Sequence, residues 1–159
     1  MSAITPGDDL TVITLTVGAQ KLAIPACALR EILDPLPVTR VPRAGPFVPG
    51  VVNVRGSVVP LANLRHALGI PDQGQDDRRR IMVLEVDLEG DLATVAIMAD
   101  AVHEVTTVKA AQIEAAPVSA TAWPADHISG LYNSPDGFVL IPDLTNIFAA
   151  QASRAADHP

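Results

Sequence analysis

The sequence is short of aromatics, of cysteine and of positive charge, and each shortage removes a class of function. Phe, Tyr and Trp make up 3% of the 159 residues. Single-stranded nucleic acid is held by basic grooves interleaved with stacking rings, so that partner is excluded first. Eleven basic residues stand against 18 acidic ones, which gives a formal net charge of -7 and a pI of about 4.8. A surface of that sign repels phosphate backbones and anionic lipid headgroups, so neither nucleic acid nor direct membrane binding is expected. The single cysteine, Cys27, can form neither an internal disulfide nor a thiolate metal cluster, and between two alanines it reads as a small buried hydrophobe. No apolar run reaches the roughly 18 residues of a membrane span, and Met1 to Asp9 lacks the basic start and apolar stretch of a signal peptide. A soluble, cytoplasmic protein is the expectation.

What the sequence has instead is branched aliphatic content. Hydrophobic residues make up 48%, mostly Val, Ile, Leu and Ala, which suits a β-rich core. A chain of this length buries roughly 68–70% of its unfolded surface and needs no staple.

Leu10 to Val17 alternates, with Ile13, Leu15 and Val17 on one face and Thr14 and Thr16 on the other, the pattern of a half-buried strand. Gly18 to Lys21 turns the chain and Leu22 to Ile24 returns as a hairpin. In the following ACALREIL, Ala28, Leu29 and Ile32 have helical spacing, enough for one turn of helix. From Pro35 to Pro49 five prolines remove backbone donors so often that only an extended connector is expected. Val51 to Val54, the turn Arg55-Gly56-Ser57 and Val58 to Leu61 form a second hairpin, in which Pro60 suggests an edge. Asn63 then N-caps a short helix carrying Leu64, Ala67 and Leu68, stopped by Gly69. Asp72 to Arg80 is polar and mixed in charge, and reads as a solvated loop.

The second half repeats this order. Met82, Leu84, Val86 and Leu88 alternate with Glu85 and Asp87, Gly90-Asp91 turns the chain, and Ala93, Val95 and Ile97 mark the return. Ala101 to Val105 (AVHEV) stands where the first half has Ala28 to Ile32 (ALREI), so Glu104 corresponds to Glu31. Ile128 to Tyr132, the turn Ser134 to Gly137, Phe138 to Ile141 and the helix LTNIF behind Asp143 then match the second hairpin and its capped helix. Two degenerate copies, about 10–70 and 81–149, imply two small β-barrels of about five strands packed on each other, since five short strands alone bury little.

No catalytic pattern accompanies this framework. His66, His103, His127 and His158 have no ligand partner at metal-binding spacing, and no nucleophile elbow, phosphate loop or dinucleotide fingerprint follows any strand. His103 and Glu104 are adjacent on a strand and point to opposite faces, so they do not act as base and orienter. Pro46-Phe47-Val48-Pro49 has the literal PxxP spacing, which the stiff connector explains by itself. An enzymatic or small-ligand barrel with its site between the halves would need clustered titratable groups, and these are dispersed. What stands out is Arg55, at the tip of a hairpin whose strands are aliphatic (Val51, Val52, Val54, Val58, Val59), together with Glu31 beside Leu29. A charged anchor among aliphatics is a common construction of protein interfaces.

The stretch PFVPGVVNVRGSVVPLANLRHALG resembles the signature of the CheW family of chemotaxis adaptors, a Gly-Val-x-Asn-Leu-Arg-Gly strand and turn before Val-x-Pro-x-x-Asp-Leu-Arg. ALREIL, IMADAVHEV and ISGLYNSPDGFVLIPDLTNIF are similar to further family segments, so the likeness covers about Asp8 to Ala149. It implies one CheW-like domain over 8–149, all-β, made of two SH3-like five-stranded barrels around an apolar seam with short helices, and a tail of 150–159 that frays. It implies no catalysis and no cofactor or metal. It implies as partners a CheA-like histidine kinase and the cytoplasmic tips of methyl-accepting chemoreceptors, in arrays at the inner face of the membrane, for flagellar chemotaxis or another chemosensory output. With no kinase or receiver segment present, a free adaptor is expected. Asn53, Arg55 and Gly56 fall on the family's Asn, Arg and Gly, and Leu29 and Glu31 on its receptor-facing apolar and acidic positions, the acid and the arginine being paired near the receptor groove. Val54, Asn63 and Pro49 depart from the usual Leu, Asp and basic residue.

Overall fold

Alternating aliphatic runs set against short turns make four antiparallel hairpins: β1 (Leu10–Val17) with β2 (Gln20–Pro25), β5 (Gly50–Val54) with β6 (Ser57–Ala62), β7 (Arg80–Leu88) with β8 (Asp91–Ala99), and β10 (Ile128–Ser134) with β11 (Gly137–Pro142). The computed structural model describes residues 9–43, 45–70, 78–88, 90–115 and 127–156. Single strands β3 (Leu29–Leu33), β4 (Thr39–Arg40) and β9 (Ala101–Val108) complete two sheets, and α1 (Leu64–Leu68) and α2 (Leu144–Ala156) follow β6 and β11.

The halves exchange strands. One sheet runs β10-β11-β2-β1-β9 and the other β3-β7-β8-β6-β5-β4. Thus β3 leaves the first hairpin to pair with β7, and β9 leaves the third to pair with β1, each with one register shift. Hairpins of opposite halves join through short parallel contacts, Leu140 opposite Leu22 in one sheet, Leu61 opposite Ala96 and Ala62 opposite Ile97 in the other. Replacing β1, β2, β3, β5 and β6 by β7, β8, β9, β10 and β11, and the reverse, turns one strand order into the other, with β4 as the addition. The register makes the correspondence residue by residue. Leu15 lies between Leu22 and Val102 as Leu84 lies between Val95 and Leu29.

Two glycines show the same relation. Gly50 sits where β4 crosses β5, and a Cβ there would lie 2.6 Å from the Thr39 carbonyl oxygen and 2.7 Å from Val38 Cγ1. Its counterpart Gly130 sits where Glu114 bridges β10, and a Cβ there would lie 2.8 Å from Ile113 Cγ2 and 3.0 Å from the Glu114 carbonyl oxygen. Close backbone approach selects glycine at both.

The core follows from the exchange. Ile13, Leu15, Val17, Leu22 and Ile24 meet Met82, Leu84, Val86, Val95 and Ile97 in a seam that also buries Leu64 and Leu68 of α1 and Leu144, Ile147 and Phe148 of α2. Phe47 stands edge-on to Phe148, ring centres 5.0 Å apart. A smaller cluster around Val52, Val59 and Ile81 lies within one sheet unit, and one around Val12, Val139 and Ile141 within the other. Each fully buried aliphatic side chain contributes about 1.5–3 kcal/mol, so the seam is the main source of stability.

Several expectations need correction. The helical spacing of ALREIL is misleading: only Ala26–Ala28 forms a 3-10 turn and Leu29–Leu33 is a strand, its alternation of half-buried and exposed positions being that of a sheet edge. β1 is buried on both faces, because Thr14 points inward and its Oγ1 bonds the backbone of Glu104 in the neighbouring strand. The proline connector does form a strand, β4, with Thr39 opposite Val51 and Arg40 opposite Gly50. Pro60 is not on an edge strand; it precedes the point where β6 reaches β8, so no bond to β8 is lost. Asn63 occupies the N-cap of α1 without a side-chain bond, whereas Asp143 Oδ1 accepts the Asn146 N–H at 3.0 Å. Cys27 is exposed. α2 continues beyond Ala149 to Ala156. Of the stretch read as a solvated loop, Asp72 to Asp77 lies outside the described residues, and Arg79 and Arg80 are ion-paired with Asp100 and Asp34.

Candidate functional site

The β5–β6 turn has two residues, Arg55 and Gly56, with Val54 opposite Ser57. Both adopt positive φ, 52° and 87°, the backbone of a type I′ hairpin turn. Glycine takes this conformation freely; arginine does so at a steric cost. Asn53 supports the turn, its Oδ1 accepting the Gly56 N–H at 2.9 Å. Asn53 and Gly56 therefore shape the loop that presents Arg55.

The side chain of Arg55 crosses to β3. Nε donates to Glu31 Oε1 at 3.2 Å and to Oε2 at 3.1 Å, and Nη2 donates to Oε1 at 3.1 Å. The fork of the guanidinium matches the two carboxylate oxygens and fixes the orientation of both groups. These hydrogen bonds, and then the charge of Glu31, raise the Arg55 pKa above its ordinary value. Arg55 remains 77% exposed and Glu31 26%, so the pair is a surface feature with one partner tucked against the sheet. Two residues before Glu31, Leu29 packs against the seam, and two residues after it Leu33 packs against the smaller core of its sheet. The candidate residues thus fall into a presenting loop (Asn53, Arg55, Gly56) and a receiving strand (Leu29, Glu31), joined by the ion pair.

The aliphatic ring expected around Arg55 is only partly there. Val52, Val54 and Val59 turn into the core, while Val58, opposite Asn53, is 73% exposed. Strand alternation in the sequence holds this information, because residues of one parity must face the core. A second cross-strand ion pair, missed in the sequence, joins Arg30 to Glu85; the hydrogen bond from Arg30 lowers the Glu85 pKa against a smaller effect of burial.

Among the described residues the histidines lie at separate places in the fold. His103 Nε2 lies 2.6 Å from Thr16 Oγ1, His127 is buried and His66 is exposed on α1. Among the described residues no three His, Cys, Asp or Glu side chains are grouped as metal ligands, and no helix is long and apolar enough to cross a membrane.

Comparison with known proteins points the same way. Residues 11–152 match the family model of the CheW-like domain. The chemotaxis protein CheW of Rhizobium meliloti (strain 1021) is 28% identical over 144 residues, 91% of this chain and 90% of that protein. The chemotaxis protein CheW of Klebsiella aerogenes is 25% identical over 154 residues, 97% and 89% of the two chains. The crystal structure of the scaffolding protein TtCheW from Thermoanaerobacter tengcongensis superposes with a TM-score of 0.76 at 23% identity, over 89% of this chain and 93% of that one. That likeness carries the fold, a mostly β architecture of two SH3-like units.

Proposed function

The chain belongs to the CheW-like domain family, and from that premise we propose that it is a non-enzymatic chemotaxis adaptor coupling the cytoplasmic tips of methyl-accepting chemoreceptors to a CheA-like histidine kinase. The reading places it in the cytoplasm, recruited to receptor arrays at the inner face of the membrane. The observation that carries it is the ion pair of Arg55 and Glu31, an oriented charged fork at a hairpin tip beside the exposed Val58. Such a feature adds little to stability and much to partner choice and encounter geometry. Asn53 and Gly56 set the loop, Arg55 and Glu31 form the recognition element, and Leu29 is the apolar contact next to it.

Arg55→Glu places like charges face to face in an exposed position. In a mixture of this protein, its cognate kinase and receptor-bearing membranes, the variant is expected to keep its circular dichroism spectrum and lose receptor-dependent kinase activation. A folded variant with unchanged activation overturns the assignment.

A further inference from the structure

The two exchanged strands, β3 and β9, occupy equivalent places in the two halves and are fastened by different means. At the entry of β9, Asp100 accepts the Gly18 N–H at 2.6 Å and a bond from Arg65 Nη2, and Arg79 Nε lies 3.3 Å away. At its register shift Thr14 Oγ1 bonds both the N–H and the carbonyl of Glu104. Ala101 and Val108 are buried at its two ends. These fastenings lie mostly inside the fold.

At β3 each of them is replaced. The register relates Asp100 to Cys27, which is exposed, and Thr14 to Val83, which stands at the register shift of β3 with no hydroxyl to offer. No residue from 25 to 43 is buried, and Leu29, Leu33 and Leu36 are only partly covered by the cores they pack against. β3 is an edge strand paired with β7 alone. What holds it besides that pairing is three ion pairs, Arg30 with Glu85, Glu31 with Arg55, and Asp34 with Arg80 at 3.5 Å. One member of each pair, Arg30, Arg55 and Asp34, is exposed. Exposed pairs are weak and are screened by salt. A segment without a buried side chain belongs to the low-stability end of a fold, where opening is local, so small electrostatic contributions decide how often it opens.

We propose that residues 26–38 form a charge-fastened strap that leaves β7 as a unit while the rest of the fold stays closed, and that rising ionic strength releases it. One consequence rests on the adaptor reading: the strap carries Leu29 and Glu31, so a partner that binds them selects the docked strap, and salt weakens the complex by depleting that state as well as by direct screening.

The test is native-state hydrogen exchange of the ¹⁵N-labelled full chain, under conditions where exchange reports the opening equilibrium, with the β9 amides as internal reference. From about 0.01 M to about 1 M NaCl the screening length falls from about 30 Å to about 3 Å. The β3 amides are expected to exchange at least tenfold faster than those of β9 at low salt, and the ratio to rise at least threefold at high salt. The double variant Arg30→Gln, Asp34→Asn, which leaves Arg55 and Glu31 in place, should raise the ratio already at low salt and respond less to added salt. Equal protection of β3 and β9, a ratio that neither salt nor the variant moves, or a salt response undiminished in the variant overturns the proposal. Only the free chain is measured, so that failure leaves the adaptor reading standing, and the kinase assay on Arg55→Glu tests that reading separately.

Discussion

Arg55 and Glu31 are 24 residues apart in sequence, one in the β5–β6 turn and the other on β3, which pairs with neither β5 nor β6, yet three hydrogen bonds of 3.2, 3.1 and 3.1 Å join them. The contact has to be built through the fold. β5 reaches β3 only by way of β6, β8 and β7, two of which belong to the other half of the chain. An exposed pair has little to offer stability, but its geometry reports whether the second half is in place.

The cost of that geometry sits in the turn. Arg55 has φ 52°, in the left-handed region, which glycine enters without a Cβ clash. Arg55→Gly is therefore expected to leave the melting temperature unchanged or raised, while coupling to the kinase is lost. A thermal melt beside a kinase-activation assay checks this. A large drop in melting temperature would assign Arg55 to folding instead of recognition.

Two glycines predict a graded effect. Gly50→Ala drives a Cβ to 2.6 Å from a backbone oxygen, and Gly130→Ala drives one to 2.8 Å from the end of the Ile113 side chain. Backbone cannot give way as a methyl group can, so Gly50→Ala should cost the more, both within the about 1–3 kcal/mol of an overpacked site. Gly45 has nothing within 4 Å of its would-be Cβ, so Gly45→Ala should be neutral or gain about 0.4–1 kcal/mol through the unfolded chain. Urea midpoints of the three variants test the order.

The same contrast between local and long-range forces explains what was legible in the sequence. The four hairpins, the helices behind them and the duplication are written in alternation, turn residues and spacing, which act over a few residues. The pairing of Glu31 with Arg55 came through resemblance, since nothing local brings β3 to the hairpin. The exchange of β3 and β9 was not legible, because it rests on pairings far apart in sequence and on parallel contacts of one or two residues. ALREIL misled because an edge strand with a register shift offers apolar residues at helix-like intervals. The ion pair of Arg79 with Asp100 and that of Arg80 with Asp34, at the end of the β3–β7 pairing, join residues far apart in sequence and exist only after the exchange.

Asp100 predicts an acid dependence. Burial pushes its pKa up, but the hydrogen bonds from Arg65 and the Gly18 N–H, with the charges of Arg65 and Arg79, outweigh this and hold it below the ordinary value. At low pH the unfolded chain then takes up a proton before the folded one does. The contribution is complete above the ordinary carboxylate pKa of about 3.9 and is lost as pH falls below it, through the depressed folded value. Asp100→Asn should cost about 1–3 kcal/mol at pH 7 and flatten the decline of stability below about pH 4. Urea unfolding of both proteins from pH 7 to pH 2.5 checks it; parallel curves would remove Asp100 from the acid response.

Strand exchange makes the halves interdependent. Residues 1–70 alone would leave β1 without β9, β3 without β7, and one face of Leu15, Leu22 and Ile24 without the seam. Each of those side chains contributes about 1.5–3 kcal/mol when buried, against a total domain stability of about 5–15 kcal/mol, so neither 1–70 nor 71–159 should unfold cooperatively by itself. Mixed, the fragments are expected to associate through the seam and the exchanged strands and to recover a single cooperative transition. Dispersed amide resonances appearing only in the mixture would show it. A cooperative transition in 1–70 alone would mean that the first hairpin and its neighbours form a unit of their own, which the order of strands in both sheets opposes.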